Sequence, residues 1–322
     1  DTARALISLC LLTGNIGRRG TGLHPLRGQN NVQGASDVGL IPQFYPGYQS
    51  ADDPTVRKVF EELWGVNLDP HSGLTVVEIM QGALNGQITG MYMMGENPFL
   101  SDPNINKVRK GLQKLSFLAV QDIFLTETAE FADVIFPASA SAEKTGTYVN
   151  TNRMVQIGRK AIEPPGEARL DGDIIIDLAN KMIELEEGPS GNFWDYNGPE
   201  SVWNEIITET PNFKGITYKL IESGTVVWPM GEPVLFTNEF PLGRGKFTPV
   251  VFAPPDELPD AEYPFVLNTG RVLQHWHTGT MTRRARALDA MSPEPFVEIT
   301  SDDLASIGIV DGLSLIHNCR CR

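Results

Sequence analysis

Residues 89–94, 115–120 and 132–136 are three short apolar runs, each followed by polar or turn-forming residues. Runs this short read as buried strands. Residues 104–114 carry a helical pattern between the first two runs, and residues 126–131 leave room for a short helix before the third. Strand and helix in alternation predict an α/β domain built on a parallel sheet. Ligands in such sheets bind beyond the carboxyl ends of the strands. Asn97, Gln121 and Asp122 fall at those ends. Asn and Asp also favour turns whatever the ligand, so ordinary turn chemistry is the competing account.

Other elements follow from local pattern. Residues 2–12 read as a helix, with Leu6, Leu9 and Cys10 at helical spacing and Gly14 as its stop. A helix at the very start leads us to expect that the natural chain extends upstream. Residues 36–73, rich in Pro, Gly and Asp, read as a long ordered loop with a short helix near 57–63. Residues 74–84 form an amphipathic helix. Asp171 and Asp173 precede a helix over 174–185, a place where acids are favoured with or without a ligand. Residues 190–196 read as a loop, 203–207 as a short helix, 228–231 as a turn and 247–252 as a strand. Residues 254–260 have linker composition and predict a domain boundary. Residues 263–267 and the start of 293–312 read as strands, and Thr300 or Ser301 as the cap of a following helix.

The chain has 322 residues, enough for two or three domains. Its net charge of -14 argues against nucleic acid, which calls for a basic footprint. No apolar run reaches the roughly 20 residues of a membrane span. The three cysteines Cys10, Cys319 and Cys321 make neither a disulfide framework nor the four thiolates of an iron–sulfur cluster. Cys319 and Cys321 lie in a tail, residues 316–322, that reads as foreign sequence or as the result of truncation. The chain opens at Asp1, without methionine, so the lack of a visible leader carries no information.

Residues 24–35 form an unusually polar stretch after a glycine-rich turn over 14–22. The amides of Gln29, Asn30, Asn31 and Gln33 crowd a segment with few aliphatics, and such groups are costly to bury unpaired. Arg27 offers a planar fork of donors suited to a carboxylate or similar oxyanion. The stretch is either a site-lining loop or a surface turn whose amides bond their own backbone. Lys144 can meet a phosphate, and Asp171 can accept from N–H groups. Each is equally a solvated charge or a helix cap. His275 and His277 flank Trp276, but no carboxylate or thiolate stands at ligand spacing, so no metal ligand is assigned.

Residues 13–17 through 34–35, continuing to Pro46-Gly47-Tyr48-Gln49, resemble the large subunit of molybdenum-dependent formate dehydrogenases. The whole chain can be laid on the later part of that subunit. The resemblance implies a multi-domain molybdopterin oxidoreductase fold, with doubly wound, mostly parallel sheet domains and the start of a C-terminal β-barrel of the double-psi type. It divides the chain into residues 1–29, the end of an α/β domain flanking the metal; 30–141, an α/β cofactor domain; 142–260, a mixed region; and 261–322, the truncated barrel domain. It implies catalytic roles for Arg27 and Gln29. It implies cofactor contacts at Asn97, Gln121, Asp122, Lys144 and Asp171. The loop Thr269, Gly270, Arg271, Val272, Leu273, Gln274, His275, Trp276, His277 and Thr278 would wrap the cofactors.

The family oxidises formate to carbon dioxide reversibly at a molybdenum centre held by two molybdopterin guanine dinucleotides, with tungsten as an alternative metal. The resemblance therefore implies that the metal ligand and a 4Fe-4S cluster lie upstream. It implies electron transfer through iron–sulfur and flavin subunits to NAD, and a cytoplasmic location. Two other readings are a related molybdenum oxidoreductase such as a nitrate reductase, and a structural homologue that has lost the cofactor. The Arg27-Gly28-Gln29-Asn30-Asn31 stretch favours formate, and the presence of Arg27, Lys144, Asp171 and the 269–278 loop favours a cofactor.

Overall fold

The computed structural model describes residues 2–185, 194–241 and 243–313. Cys319 and Cys321 and the tail expected to be foreign sequence or the result of truncation lie outside the described residues, as does most of the loop expected over 190–196. The chain divides into two units, Asp1–Pro264 and Phe265–Arg322.

In the first unit the opening segment forms the helix Thr2–Leu12. It stops at Gly14, whose φ of 62° only glycine adopts freely. The helix Val32–Asp37 follows, then a two-stranded ribbon of β1 (Phe44–Tyr45) and β2 (Gln49–Ser50). The helix Pro54–Trp64 is longer than expected because its start is well specified. Asp53 accepts from the Thr55 amide at 2.8 Å, and Pro54 occupies the first turn. The helix Val76–Asn85 opens on a capping box, in which Thr75 and Glu78 each bond the other's backbone amide.

The three expected strands form β3 (Gly90–Met94), β4 (Phe117–Asp122) and β5 (Val134–Pro137), parallel and in that spatial order. The second begins later than its apolar run. Leu115 caps the helix Ile105–Lys114 instead, while Gln121 and Asp122 remain in the ladder opposite Phe136 and Pro137. Met80, Val108 and Leu112 from two helices pack with Met93, Leu118 and Val120 to form one core. Gln121 alternates with Leu118 and Val120 and so faces the other way, towards the helix Asp171–Glu184.

A second, antiparallel sheet was not anticipated. It joins β6 (Gly146–Val149), β7 (Met154–Gly158) and β8 (Val226–Val227). Residues 146–153 hold a strand and the turn that follows it. Asn150 Oδ1 accepts from the amides of Asn152 at 3.2 Å and Met154 at 3.0 Å, which closes the hairpin. Val149 and Val155 pack on Trp203, Phe213, Ile216 and Trp228, and the Trp203 indole donates to the Ile216 carbonyl at 2.8 Å. Trp203 lies in the helix Gly198–Glu209, longer than the short helix expected.

Two expectations fail in this unit. Asp171 and Asp173 do not precede their helix but occupy its first turn, because Leu170 takes the flanking position. Residues 247–252 make no strand, and Val251 and Phe252 are both 88% exposed. An apolar run becomes a strand only with a neighbour to pair its backbone, and here none is opposite.

Among its described residues the second unit holds the 3-10 turn Thr282–Arg284 and the α-helices Arg286–Met291 and Ser301–Ser306, the latter capped by Thr300 Oγ1 on the Asp303 amide at 3.2 Å. Among those residues there is no strand and no closed barrel, and the strands expected at 263–267 and at the start of 293–312 do not form. Among the described residues, no helix is long and apolar enough to cross a membrane.

Candidate functional site

The polar stretch closes against the unanticipated hairpin. Asn31 adopts a left-handed backbone, with φ 63°, and its Oδ1 accepts from the Val149 amide at 2.9 Å. Gly34 permits this, since a Cβ there would lie 2.1 Å from Asn31 Oδ1. Thr151 Oγ1 donates to the Pro25 carbonyl at 2.9 Å and accepts from the Arg27 amide at 3.3 Å. Loop and hairpin line an open pocket of about 510 Å³. Arg27, Gln29, Asn30, Asn31 and Gln33 line one wall, and Asn150, Thr151, Asn152 and Gln156 the other. Tyr148, Val149 and Ile157 add apolar surface to the amides, hydroxyls and single guanidinium, a mixture suited to a polar, anionic or heterocyclic guest. The bland account of the stretch, amides bonding only their own turn, does not describe it.

Beneath the loop, Ser36 and Asp37 end the helix Val32–Asp37 and are buried. Arg27 Nη1 donates to Ser36 Oγ at 2.8 Å. Asp37 Oδ1 accepts from Gln33 Nε2 at 2.7 Å and from the Tyr48 hydroxyl at 2.9 Å. Asp37 Oδ2 and the Trp228 indole nitrogen are both buried without a partner in hydrogen-bond geometry. Burial raises the Asp37 carboxyl above its ordinary value, opposed by Gln33, Tyr48, the Arg27 charge and the nearby Trp228 N–H. The Tyr48 phenol is raised too, by burial and by Asp37.

At the carboxyl edge of the parallel sheet, three of the expected cofactor residues meet. Gln121 Nε2 donates to Asp171 Oδ1 at 2.8 Å, and Lys144 Nζ donates to Asp171 Oδ2 and, at 3.1 Å, to the Ser139 carbonyl. Tyr92 donates to Gln121 Oε1. Burial and the Asp171 charge hold the Tyr92 phenol above its usual range. Asn97 ties its loop to the segment before the Ala129–Phe131 turn, and Asp122 bonds two residues on. Asn97 Oδ1 accepts from the Thr128 hydroxyl at 2.7 Å, its Nδ2 donates to Glu127 at 2.9 Å, and Asp122 Oδ1 accepts from the Phe124 amide at 3.1 Å.

In the second unit, residues 269–278 form an open loop in which Leu273 is 96% exposed. His275 Nε2 lies 2.7 Å from the Ser292 carbonyl and donates to it, while Nδ1 lies 3.2 Å from Thr282 Oγ1. Both ring nitrogens therefore have partners within the second unit. His277 has a left-handed backbone, φ 50°, and stands edge-on to Trp276. Among the described residues, no group of three or more His, Cys, Asp and Glu could hold a metal.

Ser36, Asp37 and the hairpin wall were missed at the level of sequence. The hairpin had a signal: alternating apolar positions on either side of Asn150, Thr151 and Asn152. Ser36 and Asp37 had none, because a Ser-Asp pair is ordinary at a helix end.

Residues 1–181 match the family described as "Molybdopterin oxidoreductase", and residues 265–316 match the "Molydopterin dinucleotide binding domain". The chain is 48% identical to the "F420-dependent formate dehydrogenase subunit alpha" of Methanocaldococcus jannaschii, over 97% of this chain and 46% of that protein. It is 38% identical to "Formate dehydrogenase H" of Escherichia coli, over 99% of this chain and 45% of that protein. The chain thus spans about half the length of these relatives. Among solved structures it is similar to acetylene hydratase from Pelobacter acetylenicus, with a TM-score of 0.56 and 16% identity over 80% of this chain and 38% of that one. This last likeness concerns the fold.

Proposed function

The chain belongs to the molybdopterin oxidoreductase family, and on that footing we propose that it forms part of the catalytic subunit of a formate dehydrogenase. The reaction is the reversible oxidation of formate to carbon dioxide. The observation that carries this reading is Arg27, a guanidinium set in an amide-lined pocket within a stretch that resembles the family's formate site.

The chain's residues fit a molybdopterin guanine dinucleotide. Lys144 suits a phosphate, Asp171 and Gln121 suit the donor edge of guanine, and the buried Ser139 hydroxyl beside them has no partner. We assign Asn97 and Asp122 to cofactor contacts as well, and the 269–278 loop likewise to pterin-dinucleotide contacts, as the resemblance implies. When bound, the molybdenum or tungsten centre supplies the two-electron oxidant. The rest falls to the chain. Arg27 binds formate through its oxygens and leaves the C–H bond outward, which is positioning of the reacting bond. Gln29 adds a neutral contact beside it. Charge leaves the carboxyl group as hydrogen is removed, so the guanidinium must orient without overstabilising the ground state. The cofactor carries the redox chemistry, and the protein supplies geometry and field.

A 4Fe-4S cluster supplied outside this segment would pass electrons to flavin subunits and NAD, in the cytoplasm. The names of the relatives favour a second acceptor, F420. The test is turnover by the purified full-length protein. We expect formate-dependent reduction of one of the two acceptors, with molybdenum or tungsten bound. Nitrate reduction without formate oxidation would move the assignment to a related reductase. A protein that never holds metal or pterin would leave only the fold.

A further inference from the structure

We propose that Ser36 is the positioning residue that aims the Arg27 guanidinium into the pocket. This rests on the reading of Arg27 as the formate-orienting group. Ser36 is 7% exposed and sits in the last turn of the helix Val32–Asp37. A serine hydroxyl has one proton. Here it goes to the Val32 carbonyl at 2.9 Å, so towards Arg27 the oxygen can only accept. Arg27 Nη1 meets it at 2.8 Å. The polarity of this contact cannot reverse, and the guanidinium is held by one corner.

The neighbouring carboxylate clarifies why serine stands there. Asp37 is 1% exposed, and its Oδ1 is taken by Gln33 and Tyr48. The Arg27 charge reaches Asp37 through space, yet the two form no direct ion pair. A bidentate clasp by Asp37 would occupy the planar fork and neutralise it. Ser36 instead fixes the direction of the guanidinium while leaving its charge and remaining donors for an incoming anion. Nothing in the sequence marks Ser36 for this, since Arg27 and Ser36 meet only through the fold.

The experiment uses the full-length, cofactor-loaded protein and the variants Ser36→Ala and Ser36→Thr, each alone and with Arg27→Lys. Two quantities are read: formate kcat with KM, and the rate at which phenylglyoxal modifies Arg27, followed by peptide mass mapping. In Ser36→Ala we expect kcat to fall by roughly tenfold, as for loss of a hydrogen bond to a charged group. Arg27 should be modified several-fold faster, and molybdenum content should be unchanged. Ser36→Thr should restore both readings. Added to Arg27→Lys, Ser36→Ala should cost nothing further. Unchanged labelling in Ser36→Ala overturns the proposal, as does a kcat loss that Thr fails to rescue or that persists in full on top of Arg27→Lys. Should the wild type oxidise no formate, the parent reading fails by itself, and the labelling comparison still decides whether Ser36 aims Arg27.

Discussion

Lys144 donates its ammonium to the Asp171 carboxylate at the carboxyl edge of the parallel sheet, so two charges expected to meet a dinucleotide separately form one ion pair. Gln121 is fully buried and shares the same carboxylate. Any guest that uses Asp171 must therefore compete with two internal donors or displace Lys144 towards its own phosphate.

We predict that Asp171→Asn lowers the pterin and molybdenum content of the full-length protein with little change in melting temperature. Asparagine keeps an acceptor for Gln121 and loses the charge. Asp171→Ala should lower the content similarly and also destabilise by about 1–3 kcal/mol, because it leaves the buried Gln121 amide unsatisfied. Full cofactor content in both variants would mean that Asp171 serves only Lys144 and Gln121.

Arg27→Lys keeps a positive charge but loses the two-point fork. We expect kcat at saturating formate to fall about 10- to 150-fold, equivalent to roughly 1.5–3 kcal/mol for a charge-assisted bond made in the transition state. Metal content should stay near wild type. A rise in KM at unchanged kcat would show uniform binding in place of orientation.

Asn31 joins loop to hairpin and also holds a left-handed backbone. Asn31→Gly tolerates the backbone and loses only the bond to the Val149 amide, at a cost of about 1–3 kcal/mol for a buried donor left unpaired. Asn31→Ala should cost more, since alanine resists that φ. Equal melting temperatures for the two variants would refute the separation of bond from backbone.

Glu209 gives a pH dependence. Burial and the nearby Glu205 carboxylate raise its carboxyl from 4.5 to about 7, against the Trp64 indole that donates to it at 3.2 Å. Between those values the folded chain keeps a proton that the unfolded chain releases, so stability falls as pH rises. We predict a melting temperature that declines from pH 5 to pH 7.5, and a flatter profile in Glu209→Gln, which stays neutral and still accepts from Trp64. Parallel profiles would show that Glu209 does not titrate in this range.

The parallel sheet was legible because its three strands are apolar runs with helices between them, and period and length suffice for that pattern. Arg27 was legible as chemistry, an isolated guanidinium among amides. Its surroundings were not. Asn31 and Val149, or Pro25 and Thr151, are brought together only by tertiary packing. The hairpin around Asn150 hid because its strands are short and its turn is as polar as a loop. Asp171 was misjudged by a single turn, since an acid before a helix and an acid within its first turn share one sequence signature. The segments at 247–252 and at the start of 293–312, where expected strands do not form, show the converse limit: β propensity describes a residue and pairing describes a neighbour.

The bond from Asn31 to Val149 spans 118 residues of chain, and that span sets a schedule. At about 5–20 residues per second of synthesis, the stretch bearing Arg27 leaves the ribosome about 6–24 s before the hairpin that pins it. During that interval the guanidinium loop has no second wall. Assembly of the pocket is thus timed by the hairpin and not by the loop that carries Arg27.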